Sequence, residues 1–83
     1  RPAEVRPTLD ARPLNGSGAY ELLLQGAAVN GPLVVHDALG RTVRNLRWNG
    51  DRQLVDLSSE ASGLYTVLQA TDRGIVRTRL LRP

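Results

Sequence analysis

Val55-Asp56-Leu57-Ser58-Ser59-Glu60-Ala61-Ser62-Gly63-Leu64-Tyr65-Thr66-Val67 is the stretch from which the rest of the chain is read. Val55 and Leu57 flank a polar residue, as in a strand covered on one face. Residues 58–62 are mostly small and polar and run into Gly63, which marks a loop. A second strand then begins with an aromatic, Tyr65, and keeps alternating. Two strands joined by a glycine-closed loop make a corner. Leu57, Tyr65 and Val67 are expected in its core, with Gly63 where the chain turns without a Cβ.

Toward the C-terminus, residues 64–71 and 75–82 form two strands joined by Asp72-Arg73-Gly74, a loop of hairpin length. If Tyr65 and Val67 face inward, the pleat pairs them with Val76, Thr78 and Leu80 and leaves Arg77, Arg79 and Leu81 on the opposite face. Toward the N-terminus, Asn49-Gly50 is the strongest hairpin signal in the chain, because a type I′ turn needs positive φ at both central residues. It joins strand 41–48 to strand 53–57. Val43 and Leu46 are three apart and cannot both face inward in a regular strand, so a β-bulge is expected near Asn45.

The nearly continuous apolar run at 33–37 reads as a central strand. It is followed by the turn Asp37-Ala38-Leu39-Gly40 and preceded by the turn Asn30-Gly31-Pro32. Tyr20, Leu22 and Leu24 share one face of a strand at 19–25, which follows a turn at Asn15-Gly16-Ser17-Gly18. A short first strand around 5–9 carries Pro7, which places it at a sheet edge. Residues 1–4 read as the end of a linker. Seven short strands without a helical period predict a single all-β domain over 1–83, a seven-stranded antiparallel immunoglobulin-like β-sandwich.

At 83 residues the core must be thin. With no Phe and no Met, it is built from Leu, Val, Ala and two Tyr. The absence of cysteine excludes a disulfide framework and a thiolate metal site. No apolar signal region or membrane-spanning run is present, and the start at Arg1-Pro2 fits a piece of a larger protein. Every basic residue is Arg and the net charge is +3, which suits an Arg-preferring source or an anionic partner. The arginines are scattered and the aromatics are three, so no nucleic-acid stacking platform is expected.

His36 adjoins Asp37, but neighbours in a strand point to opposite faces, so the two are badly placed as an acid–base pair. Asp37, Asp51, Asp56, Glu60 and Asp72 are isolated and lack the spacing of a calcium loop. No cofactor, metal or catalytic residue is expected. A sugar-binding strip would have only Trp48, Tyr20 and Tyr65 to draw on, with Tyr65 wanted at the corner and Trp48 at a sheet edge.

Three blocks resemble the C-terminal sorting domain of proteins exported by the type IX (Por) secretion system of Bacteroidetes and relatives. The first is Leu33-Val34-Val35-His36-Asp37-Ala38-Leu39-Gly40-Arg41-Thr42-Val43, similar to the family's alternating valines, an aromatic, Asp, two residues, Gly-Arg, one residue and Val. The second is Val55-Asp56-Leu57-Ser58 with Gly63-Leu64-Tyr65-Thr66-Val67. The third is Arg77-Thr78-Arg79-Leu80-Leu81-Arg82-Pro83, where the family has a basic residue, two apolar residues and the C-terminus. The order and spacing match over nearly the whole chain. Three positions depart from the pattern: Arg6-Pro7-Thr8 replaces Pro-Asn-Pro, His36 stands where an aromatic is common, and Glu60 occupies an apolar loop position.

The resemblance implies a non-enzymatic address tag behind a large N-terminal passenger domain. Such a protein passes through the periplasm, is read by outer-membrane secretion machinery without inserting in the membrane, and ends at the cell surface or secreted. It implies structural roles for Asp37, Gly40, Arg41, Gly63 and Tyr65. The candidates for translocon recognition are Arg77, Arg79, Leu80, Leu81 and Arg82. A competing role for Arg77 and Arg79 is to keep an edge strand soluble. The rival function is a retained cell-attachment or carbohydrate-binding accessory module of a secreted glycoside hydrolase or similar enzyme.

Overall fold

A computed structural model describes residues 6–14, 18–48 and 52–83. They form seven strands: β1 (Thr8–Leu14), β2 (Ala19–Gln25), β3 (Val29–His36), β4 (Thr42–Leu46), β5 (Arg52–Asp56), β6 (Gly63–Thr71) and β7 (Gly74–Arg82). All pairings are antiparallel, in a three-stranded sheet of order β1-β2-β5 and a four-stranded sheet of order β4-β3-β6-β7. The sheets bury their facing sides against each other as a β-sandwich. One contributes Leu9, Tyr20, Leu22, Leu24 and Val55, the other Leu33, Val35, Tyr65, Val67 and Leu80, and Leu57 joins them from the corner.

The strict alternation of β2 and β6 drives this arrangement. In β2, Tyr20, Leu22 and Leu24 are buried and the residues between them are not, as expected for a half-covered strand. In β6, Tyr65, Val67, Gln69 and Thr71 face inward. Tyr65 lies opposite Leu80 and Val67 opposite Thr78, so the predicted pleat of the last hairpin holds.

Three expectations are corrected. The first strand runs over Thr8–Leu14, not around residues 5–9; Pro7 precedes it, and the proline inside it is Pro13, tolerated because β1 is an edge strand. Asn30-Gly31-Pro32 is not a turn between strands but an irregular part of β3, where the register with β6 shifts between Val29 and Leu33. Gly31 takes a φ of 155° and a Cβ there would press on the Ala70 methyl at 3.3 Å, so a glycine lets the two strands close. The bulge of β4 is at Val43, since Arg44 pairs with Val35 and Thr42 with His36, and not at Asn45. Trp48 lies just beyond the end of the edge strand β4 and packs against the core. The linker at 1–4, Val5, the turn at Asn15-Gly16-Ser17 and the Asn49-Gly50 hairpin lie outside the described residues, as does Asp51.

Candidate functional site

The corner between β5 and β6 carries the chain from one sheet to the other, so its carbonyls have no ladder partners and need other donors. Tyr65 donates its hydroxyl to the Ala61 carbonyl, 2.5 Å away, forming a tyrosine corner. The Leu57 N–H bonds to the Gly18 carbonyl at 2.8 Å, and the Glu60 N–H to the Leu57 carbonyl at 2.9 Å. Gly18 is required here because a Cβ would come within 3.0 Å of the Ser58 backbone.

Two arginines complete the corner from the opposite sheet. Arg44 of β4 donates to Glu60 Oε2 at 2.8 Å, the Asp56 carbonyl at 2.9 Å and Ser59 Oγ at 3.2 Å. Arg82 of β7 donates to the Leu57 carbonyl at 2.8 Å and the Ser58 carbonyl at 3.0 Å. Ser62 Oγ donates to the Pro83 carbonyl at 2.9 Å, so the last residues are tied to the loop. Glu60 is therefore the carboxylate that receives Arg44.

Asp37 organises a second turn. Its Oδ1 accepts from the Leu39 and Arg41 N–H groups, both at 2.9 Å, and Oδ2 accepts from Arg41 Nε at 2.9 Å. These bonds, the Arg41 N–H foremost, hold the Asp37 carboxyl below its ordinary value of 3.8 against a smaller opposing effect of burial. Gly40, with φ 83°, donates its N–H to the Asp37 carbonyl at 3.0 Å. The three motif residues Asp37, Gly40 and Arg41 thus serve one turn. Asp56 is lowered in the same direction, first by the Ser58 hydroxyl and then by the Ser58 N–H.

The structure divides the recognition candidates in two. Leu80 is buried to 2% exposure and Arg82 turns inward to the corner, so both build the fold. Arg77, Arg79 and Leu81 are exposed on the outer face of β7 in line with Ile75. Among the described residues neither Arg77 nor Arg79 has an ion pair. The outer face of the other sheet is unlike this, because Glu21 accepts Arg12 at 2.9 Å and faces Arg52 at 3.6 Å. β7 is an edge strand and lies beside β1 of the other sheet. Between them is a mostly apolar cleft of about 300 Å³ lined by Ala11, Pro13, Tyr20, Leu80 and Leu81, with Arg79 also in its lining. Tyr20 spans the gap by donating its hydroxyl to the Leu81 carbonyl at 2.7 Å.

His36 faces outward between Thr66 and Thr42, apart from the hydrogen bonds of Asp37. Among the described residues no three of His, Asp or Glu gather as metal ligands. Trp48 lines a second cleft with Asn45 and Arg47, its indole N–H buried without an acceptor among the described residues. The chain matches no protein-family model and no characterised protein.

Sequence reasoning missed Arg44, Gln69 and the Tyr20 hydroxyl. Gln69 is fully buried and donates to the Gly31 carbonyl at 2.9 Å and the Ala70 carbonyl at 2.8 Å, which satisfies the irregularity of β3. Its position at an inward place of an otherwise apolar alternation, Tyr65, Val67, Gln69, was the available signal. Arg44 lies two residues before Leu46 and shares its inward face, opposite Val35 as Leu46 is opposite Leu33, but its charge masked that period-two signal.

Proposed function

We propose that this domain is a non-catalytic C-terminal sorting module, read through the outer face of its last strand by outer-membrane secretion machinery during type IX export of an N-terminal passenger. Three sequence blocks in the family's order support this reading. The observation that carries it is the split of β7: Leu80 and Arg82 hold the strand in place while Arg77, Arg79 and Leu81 stand outward, the two arginines without an ion pair among the described residues. A rigid, exposed strip of basic and apolar groups suits protein recognition better than chemistry.

The test is R77E/R79E in the full-length precursor. Deleting residues 80–83 is a poorer test, because it removes a core leucine and the Arg82 bonds. The double variant should retain its fold to within about 0.5 kcal/mol, as for surface changes away from packed or bonded features, while the passenger accumulates in the periplasm. Normal export of a folded double variant would end the reading. The second reading, a retained carbohydrate-binding module, draws on the Trp48, Asn45 and Arg47 cleft, where an indole N–H lacks an acceptor among the described residues. Saturable titration heat with xylan, cellulose or chitin that Trp48→Ala abolishes would favour it.

A further inference from the structure

Four strands among the described residues lie at sheet edges: β1, β5, β4 and β7. Folded sheets blunt such edges with short strands, prolines and bulges, because an open edge templates pairing with another chain. Three of the four follow this rule. β1 contains Pro13, β5 has five residues, and β4 has five residues with a bulge at Val43. β7 has none of these three features: it has nine residues, no proline and an unbroken register with β6 from Gly74 to Arg82, and the charges of Arg77 and Arg79 are what guard it.

The free side of β7 is also built to a pattern. In an antiparallel ladder, alternate residues turn their backbone groups away from the partner strand. The Leu81 carbonyl is taken by Tyr20 of the other sheet, which marks the odd-numbered residues as those facing outward from β6. Their side chains are Ile75, Arg77, Arg79 and Leu81, all exposed. The residues whose backbone groups point away from β6 are therefore the ones that present two positive charges between two apolar side chains, with only the Leu81 carbonyl already taken by Tyr20. No ladder joins β7 to β1, and the apolar cleft beside Leu80 opens between them.

We infer that β7 binds its partner by strand addition, and that the partner segment carries carboxylates at two alternate positions with apolar residues beside them. Backbone bonds to Ile75, Arg77 and Arg79 hold the added strand. Its two outward acids lie opposite Arg77 and Arg79, where opposite charges on facing positions stabilise the pair. An inward apolar side chain opposite Leu80 enters the cleft lined by Ala11, Pro13 and Tyr20. A second copy of this chain fits badly: two β7 strands paired about Thr78 would set Arg77 against Arg79, like charge on like. The inference rests on the sorting reading for the partner's place in export, but its chemistry is tested without export.

The probe is the palindromic peptide acetyl-Thr-Val-Glu-Thr-Glu-Val-Thr-amide, which offers the pattern in either direction, titrated into the 83-residue chain. It should bind about tenfold more tightly than the isomer with adjacent glutamates, whose acids fall on opposite faces. Methylating its backbone nitrogens should abolish binding. R77E/R79E should lose this peptide and take up the version with Lys for Glu. Equal binding of the isomer or of the methylated peptide would overturn strand addition in favour of plain charge attraction. A dimer of the free chain that excludes the peptide would overturn it in favour of a second copy. Failure of the peptide with export still dependent on Arg77 and Arg79 sinks strand addition alone; peptide binding with normal export of R77E/R79E sinks the sorting reading alone.

Discussion

The corner at residues 56–65 and the outer strip of β7 use the same side chain to opposite ends. At the corner, Arg44 and Arg82 give their donors to backbone carbonyls that the crossing between sheets has left without ladder partners. On the strip, Arg77 and Arg79 have no ion-pair partner among the described residues, although they sit on the same strand as Arg82. An arginine holds the fold where the backbone needs donors and is left for binding where the ladder already satisfies the backbone. Position in the pleat decides which: Arg82 follows Leu80 on the inner side, and Arg77 and Arg79 alternate with it on the outer.

The largest effect that separates the two regions is expected at Tyr65. Tyr65→Ala removes a ring that is 5% exposed and should lower stability by about 3 kcal/mol. Tyr65→Phe, which keeps the ring and loses the bond to Ala61, should cost about 1 kcal/mol. Urea unfolding of both variants checks this. Equal losses would mean the hydroxyl, not the ring, holds the corner. Should Tyr65→Ala melt like the wild type yet fail in export, the tyrosine belongs to the recognised surface instead.

Arg82→Ala comes next. It strips donors from the Leu57 and Ser58 carbonyls and should cost about 2 kcal/mol, far more than the same change at Arg79. Denaturation midpoints that fall equally for the two arginines would erase the contrast between corner and strip.

The smallest effect is acid sensitivity. Asp37 and Asp56 titrate below 3.8 in the folded state. A lowered folded value stabilises the protein at pH above the unfolded value, and that contribution is lost as pH falls from about 4 through the folded value. Amide protection, taken relative to the intrinsic exchange rate at each pH, should therefore fall at Ser58, Leu39 and Arg41 below pH ~4 before it falls in β7, whose residues 74–82 include no carboxylate side chain. Asp56→Asn should remove the acid step at Ser58 while leaving that at Arg41. Uniform exchange across corner and strand would show that the turns do not report their own carboxylates.

How far these features were legible varies with their range along the chain. The corner was readable because its parts are local: Val55, Leu57, Gly63, Tyr65 and Val67 lie within thirteen residues and follow period two. The outer strip was readable for the same reason, since the alternation of Arg77, Arg79 and Leu81 with Leu80 needs only the pleat of one strand. The bonds of Arg82 to the corner were not legible because its acceptors lie 24 and 25 residues away. Asn30-Gly31-Pro32 was misread because its turn-like composition serves a close approach to Ala70.

By itself the sequence determined seven strands, their inward faces and the corner, because each follows from the spacing of apolar and turn-forming residues along a few neighbours. Only the tertiary structure decided that β4, β5 and β7 are edges, that Glu60 receives Arg44, and that β7 is the longest edge strand among the described residues. Those features depend on which segments meet across the sandwich. Pairing over tens of residues is set by the closure of the whole core, and no local period records it.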